Sequence, residues 1–594
     1  MKSKSYNKLV SEAGEKVLSG VATWTDYPRP QLKRDDWRLL QDGWKLNNKD
    51  IRMPFPPQSL LSGYKEEVDD NLTYVCEMGK IESLGMRTLL HFGAVDQVAD
   101  VYLNGRLMGR HEGGYLPFTF EITDALEDNN RLIVDVKDTL NKTYPYGKQT
   151  KKRGGMWYTP VSGIWQNIWI ESVPQTYIEN IKITPDEYKI KVKLTINYGK
   201  NNSDFEVCDS LELTKNNNKI KNNHIFITLH NGDIYEKEFE GDEVMIDMST
   251  IRLKSGDIYK PVKWSTDNPY LYSAKLIVGE DVVETYFALR KIDIQNVNGI
   301  SRVCLNDKPI FLNGVLDQGY FCDGIFLPAE EKEYERDIIR MKKLGMNMLR
   351  KHIKIEPECF YYYCDVHGML VVQDMVNNGS YSFLRDTALP TVGFTKRDDT
   401  KFHVDKSTKE FFEKHMIETL EYLHNHPCIV AYTIFNEGWG QFDSDKMYAI
   451  AKAADNTRLY DSTSGWFWQA DNDFDSYHVY FNKKVSKPSS RPLFISEFGG
   501  FTYAVSGHMF SEESNYGYGV CKDKDELISK IIRRYEELII PIIKLGACGA
   551  VYTQLSDVED EINGFYTYDR RVCKVDEKMM QELADRINNE MESD

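Results

Sequence analysis

The stretch Ile429-Val430-Ala431-Tyr432-Thr433-Ile434-Phe435 runs straight into Asn436-Glu437-Gly438-Trp439. An unbroken run of this kind reads as a strand buried on both faces, as in a parallel sheet. A glutamate follows its end, and the glycine after it lets the backbone turn away and leave room for a ligand. The pattern recurs where Leu493-Phe494-Ile495-Ser496 runs into Glu497-Phe498-Gly499-Gly500.

Outward from these two runs, the chain from about residue 292 alternates strand-like and helix-like segments. Strand-like runs cover 309–315, 370–372, 429–435, 478–481, 493–496 and 550–553. Helix-like runs cover 406–423, where Phe412, Met416, Leu420 and Leu423 recur at helical spacing, and 525–545. Alternation on this scale predicts a (β/α)8 TIM barrel spanning 292–594, with its chemistry at the C-terminal strand ends. Both glutamates stand at such ends.

Upstream the period is 2. Asn104-Gly105 between Val101-Tyr102-Leu103 and Leu107-Met108 is a hairpin signal, because both turn residues tolerate positive φ. Leu132, Val134 and Val136 alternate with Ile133, Asp135 and Lys137. These predict a β jelly roll over 1–172. Ile190, Val192, Leu194 and Ile196 alternate with Lys189, Lys191, Lys193 and Thr195, and strands are expected at 224–230 and 282–289. Lys215-Asn216-Asn217-Asn218 reads as a polar loop. An immunoglobulin-like β-sandwich is expected over 173–291.

Composition narrows the function classes. A net charge of −17 without a basic stripe argues against nucleic-acid binding. The 10 cysteines form no CxxC pair and no zinc spacing, so they read as reduced thiols of a cytoplasmic protein. The N-terminus lacks the apolar core of a signal peptide, and no apolar run is long enough to span a membrane. No cofactor or metal is expected. Self-association is compatible with such a chain, and no residue pattern fixes it.

Two carboxyls converging on one cleft suit glycoside hydrolysis. One protonates the departing oxygen while the other attacks the anomeric carbon; ~5–5.5 Å between them gives retention and ~6.5–9.5 Å inversion. A single glutamate at a strand end is as often a salt-bridge partner or a cap; two with the same flanking pattern favour chemistry.

At these residues the chain resembles glycoside hydrolase family 2, which includes β-galactosidases, β-glucuronidases and β-mannosidases. The resemblance also rests on Tyr27-Pro28-Arg29-Pro30-Gln31-Leu32, Phe92-Gly93-Ala94-Val95-Asp96, Gly113-Gly114-Tyr115-Leu116-Pro117-Phe118, Ser162-Gly163-Ile164-Trp165-Gln166, Asn268-Pro269-Tyr270-Leu271-Tyr272 and Phe311-Leu312-Asn313-Gly314-Val315. It implies a sugar-binding jelly roll and a retaining exo-β-glycosidase acting on oligosaccharides or other glycosides. Glu437 is then the general acid/base, Glu497 the nucleophile, and Asn436 the partner of the sugar 2-hydroxyl. Asp317 resembles a carboxylate that binds a sugar hydroxyl. His478 and Tyr480 resemble residues beside the nucleophile, and Trp439 a substrate-binding residue. The chain departs from the family pattern twice. In Arg350-Lys351-His352 the histidine stands one place early; Arg350 keeps a supporting role near the nucleophile. Tyr552, followed by Gln554, stands where many members place a tryptophan that floors the sugar.

Family frequency makes galactose the first expectation. Glucuronidases of the family carry an Asn-x-Lys motif after the eighth strand, where this chain has Asn563-Gly564-Phe565. Matches elsewhere are Asn306-Asp307-Lys308, read as a turn, and Asn482-Lys483-Lys484, which follows the sixth strand and keeps a uronidase open. A mannosidase or furanosidase is also open. In a different class stands a catalytically silent carbohydrate-binding protein, which loss of either glutamate would signal; both are present.

Overall fold

The computed structural model describes residues 6–82, 86–199, 222–481, 490–513 and 515–592 of the 594-residue chain. Two β-sandwiches precede a barrel. In the first, a six-stranded antiparallel sheet packs on a four-stranded one. Its strands Val98–Leu103 and Arg106–Glu112 are joined through Asn104 and Gly105, at φ 52° and 80°, as an Asn-Gly hairpin requires. Strand Asn130–Lys137 turns Leu132, Val134 and Val136 inward against Leu90, Phe92 and Ile170. The second sandwich pairs a three-stranded with a four-stranded sheet. Its strand Lys189–Asn197 buries Ile190, Val192 and Leu194 and leaves its lysines in solvent. The polar run 215–218 lies outside the described residues.

The barrel strands are β1 (Leu312–Asp317), β2 (Met348–Lys351), β3 (Leu370–Asp374), β4 (Ile429–Asn436), β5 (Leu459–Ser464), β6 (Asp475–Val479), β7 (Leu493–Gly499) and β8 (Ala547–Thr553). They form one parallel sheet in the order β5-β4-β3-β2-β1-β8-β7-β6. Side chains bridge the remaining seam. Ser476 Oγ on β6 donates to Asp461 Oδ2 on β5 at 2.6 Å, and Ser464 Oγ lies 3.0 Å from His478 Nε2.

Several edges differ from the sequence reading. The run expected at 309–315 splits, because Lys308–Pro309 completes a three-stranded antiparallel sheet with Ile292–Val297 and Ile300–Leu305. Arg302 of that sheet donates to the carbonyls of Ile543 and Ala547, capping the N-terminal end of the barrel. Asn306 and Asp307 form its turn, both at positive φ. The run expected at 478–481 begins earlier, at Asp475, and Phe481 is 63% exposed beyond its end. The helix Glu12–Leu18, capped by Ser11, lies against the barrel: its Ala13 and Val17, and Trp24 beyond its end, join the barrel core, and Asp323 accepts from Ser11 N and Oγ.

The described cysteines are unpaired, buried or half-buried. Among the described residues no helix is long and apolar enough to cross a membrane.

Candidate active site

Glu437 directly follows β4 and Glu497 sits within β7, so both side chains reach the C-terminal mouth of the barrel. One carboxylate oxygen of each and Nδ1 of His478 all lie within 4.8 Å of one another. His478 Nδ1 is 2.8 Å from Glu437 Oε1 and 3.5 Å from Glu497 Oε2. Arg350, fully buried on β2, ties the mouth together. It donates to Asp374 Oδ1 at 3.0 Å, Glu497 Oε1 at 3.1 Å, the Ser496 carbonyl at 2.9 Å and Asn436 Oδ1 at 2.8 Å. The Tyr480 hydroxyl donates to Glu497 Oε2 at 2.5 Å.

Environment separates the two carboxyls. Burial opposes ionisation of both. At Glu497 the charges of His478, Arg350 and His352 and the Tyr480 hydrogen bond override it and hold the carboxyl down at about 2. At Glu437 burial prevails: His478 offsets part of it, the negative charge of Glu497 adds to it, and the carboxyl rises above its ordinary range. One group is poised to stay ionised and the other to carry a proton.

Local backbone makes this possible. Glu437 sits at φ 53°, a left-handed conformation uncommon for a residue with a side chain and typical of functional sites. Gly440 follows at φ 64°, and a Cβ there would lie 2.0 Å from the Asn378 carbonyl oxygen.

The structure gathers Asn436, His352, Trp439 and Tyr480 with the two glutamates along one cleft, with His478 and Arg350 behind them. His352 Nδ1 lies 2.7 Å from Asp374 Oδ2, and burial pushes its pKa down to about 4. Three expected residues stand elsewhere. Asp317 gives its carboxylate to Lys351 Nζ at 2.6 Å and to the Gly319 N–H at 2.9 Å, and does not line the cleft. Tyr552 faces Phe498 and Phe565, while its neighbour Thr553 lines the cleft; a one-residue step along a strand reverses the side. Gln554 does not line the cleft itself but bonds Gln318, which does, and Asn563, which bonds the lining Glu561. The run Asn482-Lys483-Lys484 lies outside the described residues.

Other lining residues escaped the sequence reading: Lys148, Met156, Gln318, Tyr518, Thr553 and Glu561. Lys148 and Met156 belong to a segment of the first sandwich that reaches over the barrel mouth. The Tyr158 hydroxyl donates to Glu561 Oε2 at 2.5 Å, the Thr159 N–H to Glu559 Oε1 at 2.9 Å, and Trp157 stacks on Trp439 with centroids 5.3 Å apart. The only local signal was the mixture of aromatics and glycines in Tyr144-Pro145-Tyr146-Gly147-Lys148 and Gly154-Gly155-Met156-Trp157-Tyr158. A larger cavity, about 310 Å³, lies where the sandwiches meet the barrel, beside Arg29, Trp169 and Glu358, and contains neither glutamate.

Comparison with known proteins finds three matching family descriptions. "Glycosyl hydrolase 2 galactose-binding domain-like" matches residues 47–166, "Glycosyl hydrolases family 2" matches 176–290, and "Glycosyl hydrolases family 2, TIM barrel domain" matches 296–517. A β-galactosidase of Thermoanaerobacter pseudethanolicus is 23% identical over 442 residues, 71% of this chain and 53% of that protein. A β-glucuronidase of Bacteroides fragilis is 23% identical over 452 residues, 73% of this chain and 60% of that protein. The chain thus spans a little over half the length of these curated relatives. Among solved structures, a β-D-glucuronidase of Dictyoglomus thermophilum superposes with a TM-score of 0.69 at 16% identity, over 95% of this chain and 98% of that one. A β-galacturonidase of Eisenbergiella tayi bound to galacturonate does so with 0.65 at 16%, over 94% and 98%.

Proposed function

The chain belongs to glycoside hydrolase family 2, and we propose that it removes the terminal non-reducing sugar of a β-glycoside with retention of configuration. The observation that carries this is the convergence of Glu437 and Glu497 within 4.8 Å with opposite titration shifts. That separation supports the reading, because it lies nearer the carboxyl spacing of retaining enzymes than that of inverting ones.

Glu497, held by Arg350 and Tyr480, attacks the anomeric carbon as Glu437 gives its proton to the departing oxygen. The C–O bond to the leaving group breaks and an α-linked glycosyl-enzyme forms. Glu437, now ionised, takes a proton from water, which displaces Glu497 and restores the β-configuration. Asn436 Oδ1 is occupied by Arg350, so its amide N–H groups are placed to meet the sugar 2-hydroxyl. The first-sandwich segment over the barrel mouth favours a terminal sugar over the interior of a polymer.

A neutral galactoside is the expectation from family frequency, and curated relatives carry both galactosidase and glucuronidase names. A charged sugar is favoured by a specific observation, the cationic Lys148 in the cleft.

Azide rescue tests the roles. With an activated aryl glycoside, Glu497→Ala is expected to regain turnover with azide and yield an α-glycosyl azide. Glu437→Ala is expected to yield the β-azide through attack on the glycosyl-enzyme. Swapped products would swap the roles; wild-type turnover in both variants, without azide, would refute the assignment.

A further inference from the structure

Lys148 is 7% exposed and lines the cleft that holds Glu437 and Glu497. Among the described residues its ammonium has no hydrogen bond and no ion pair. What it meets are the rings of Tyr158 and Trp439, with centroids 5.6 and 5.7 Å away. The other buried lysines of the described residues are all paired: Lys351 with Asp317 and Glu356, Lys354 with Glu356, and Lys574 with Asp557. A buried ammonium without a counter-charge is costly, and aromatic faces offset only part of that cost. The charge of Glu437 acts on it through space, but the general acid must be protonated when substrate arrives. At that moment the cleft holds a cation that pairs directly with no carboxylate of the described residues, although Glu497 and Glu561 line the same cleft.

We propose that its counter-charge comes with the substrate: Lys148 binds the carboxylate of a terminal hexuronic acid, and the natural substrate is a β-linked hexuronide. The assignment rests on the glycosidase reading above and deepens it. One monovalent cation suits one carboxylate better than a phosphate dianion. Lys148 belongs to the first sandwich, so sugar selection is exercised from outside the catalytic barrel. The Asn306-Asp307-Lys308 match cannot do this work, since its turn belongs to the sheet at the opposite end of the barrel.

The test compares kcat/KM of the wild type, Lys148→Met and Lys148→Arg. Substrates are 4-nitrophenyl β-D-glucuronide and β-D-galacturonide, their methyl esters, the matching neutral hexosides and a 6-phosphorylated hexoside. The wild type is expected to prefer one free acid over its methyl ester and its neutral counterpart, a comparison that needs no variant. Lys148→Met is expected to lose about 10²- to 10³-fold on that acid, the usual scale for truncating one partner of a buried charge pair. On the ester and the neutral hexoside, where only its action on Glu437 is lost, the fall should be at least about tenfold smaller than on the acid, and Lys148→Arg should fall between. Equal losses on acid and neutral substrates would mark Lys148 as structural and overturn the proposal. So would a wild type that prefers neutral or phosphorylated hexosides. No turnover of any glycoside would overturn the glycosidase reading and this one together, and silence on the neutral hexosides too sets that outcome apart.

Discussion

Glu437 and Glu497 carry the same functional group and titrate in opposite directions, and His478 acts on both. Its hydrogen bond and charge lower Glu437, while its charge helps hold Glu497 at about 2. Replacing it with phenylalanine is therefore expected to raise both. In the proposed mechanism Glu437 acts protonated and Glu497 ionised, so both limbs of the pH profile of kcat/KM should move to higher pH. An alkaline limb that stays in place would uncouple His478 from the acid. The depressed carboxyl also links to stability. A glutamate near 4.3 when unfolded and about 2 when folded contributes stability that is complete above about pH 4.3 and lost as pH falls through about 2. In urea titrations the wild-type midpoint is expected to fall across that window, and that of Glu497→Gln to fall less.

Among the elements, β5 and the loop after β4 hold the site's geometry. The strand Leu459-Tyr460-Asp461-Ser462-Thr463-Ser464 closes the barrel through side chains at its seam with β6. Asp461→Ala would leave Ser476 Oγ and Asn472 Nδ2 without their acceptor at that seam. The expected cost is about 1–3 kcal/mol, read as a lower urea midpoint. Unchanged stability would mean that the seam does not depend on this contact. After β4, Gly440→Ala would force a methyl group against the Asn378 carbonyl at a positive φ, which is expected to cost about 1–3 kcal/mol and displace the loop carrying Glu437. Both strands missing from the sequence-based runs, β2 and β5, are rich in buried polar groups such as Arg350, Lys351, Asp461 and Ser462. Hydropathy finds strands by apolar content, so a strand that turns polar side chains into the barrel does not register.

Across the whole molecule, charged residues join the sandwiches to one another and to the barrel. Arg34 lies 5% exposed between the first sandwich, through Glu171 at 3.0 Å, and the second, through Asp281 at 2.8 Å and the Ile178 carbonyl at 2.6 Å. Arg34→Met would strand two buried carboxylates. It is expected to lower stability by about 3–5 kcal/mol, measured by calorimetry. A loss under about 1 kcal/mol would show that the carboxylates find other partners. The first sandwich in turn completes the candidate site, since Tyr158, Thr159 and Arg153 pair with Glu561 and Glu559 at the barrel mouth.

The sequence alone determined the strand-to-helix alternation, the period-2 sandwiches and the two glutamates at strand ends. Each is written in local spacing, and backbone geometry converts spacing into position. The Asn104-Gly105 hairpin and the Lys406–Tyr422 helix, which buries Phe412, Met416 and Leu420, were legible for the same reason. Only the tertiary structure decided which face each strand residue takes, setting Thr553 in the cleft in place of Tyr552 and turning Asp317 toward Lys351. It alone decided that Lys148, 289 positions before Glu437, lines the same cleft. Such proximity depends on how one domain docks on another, and docking is set by long-range packing and charge pairing that no local window of sequence contains.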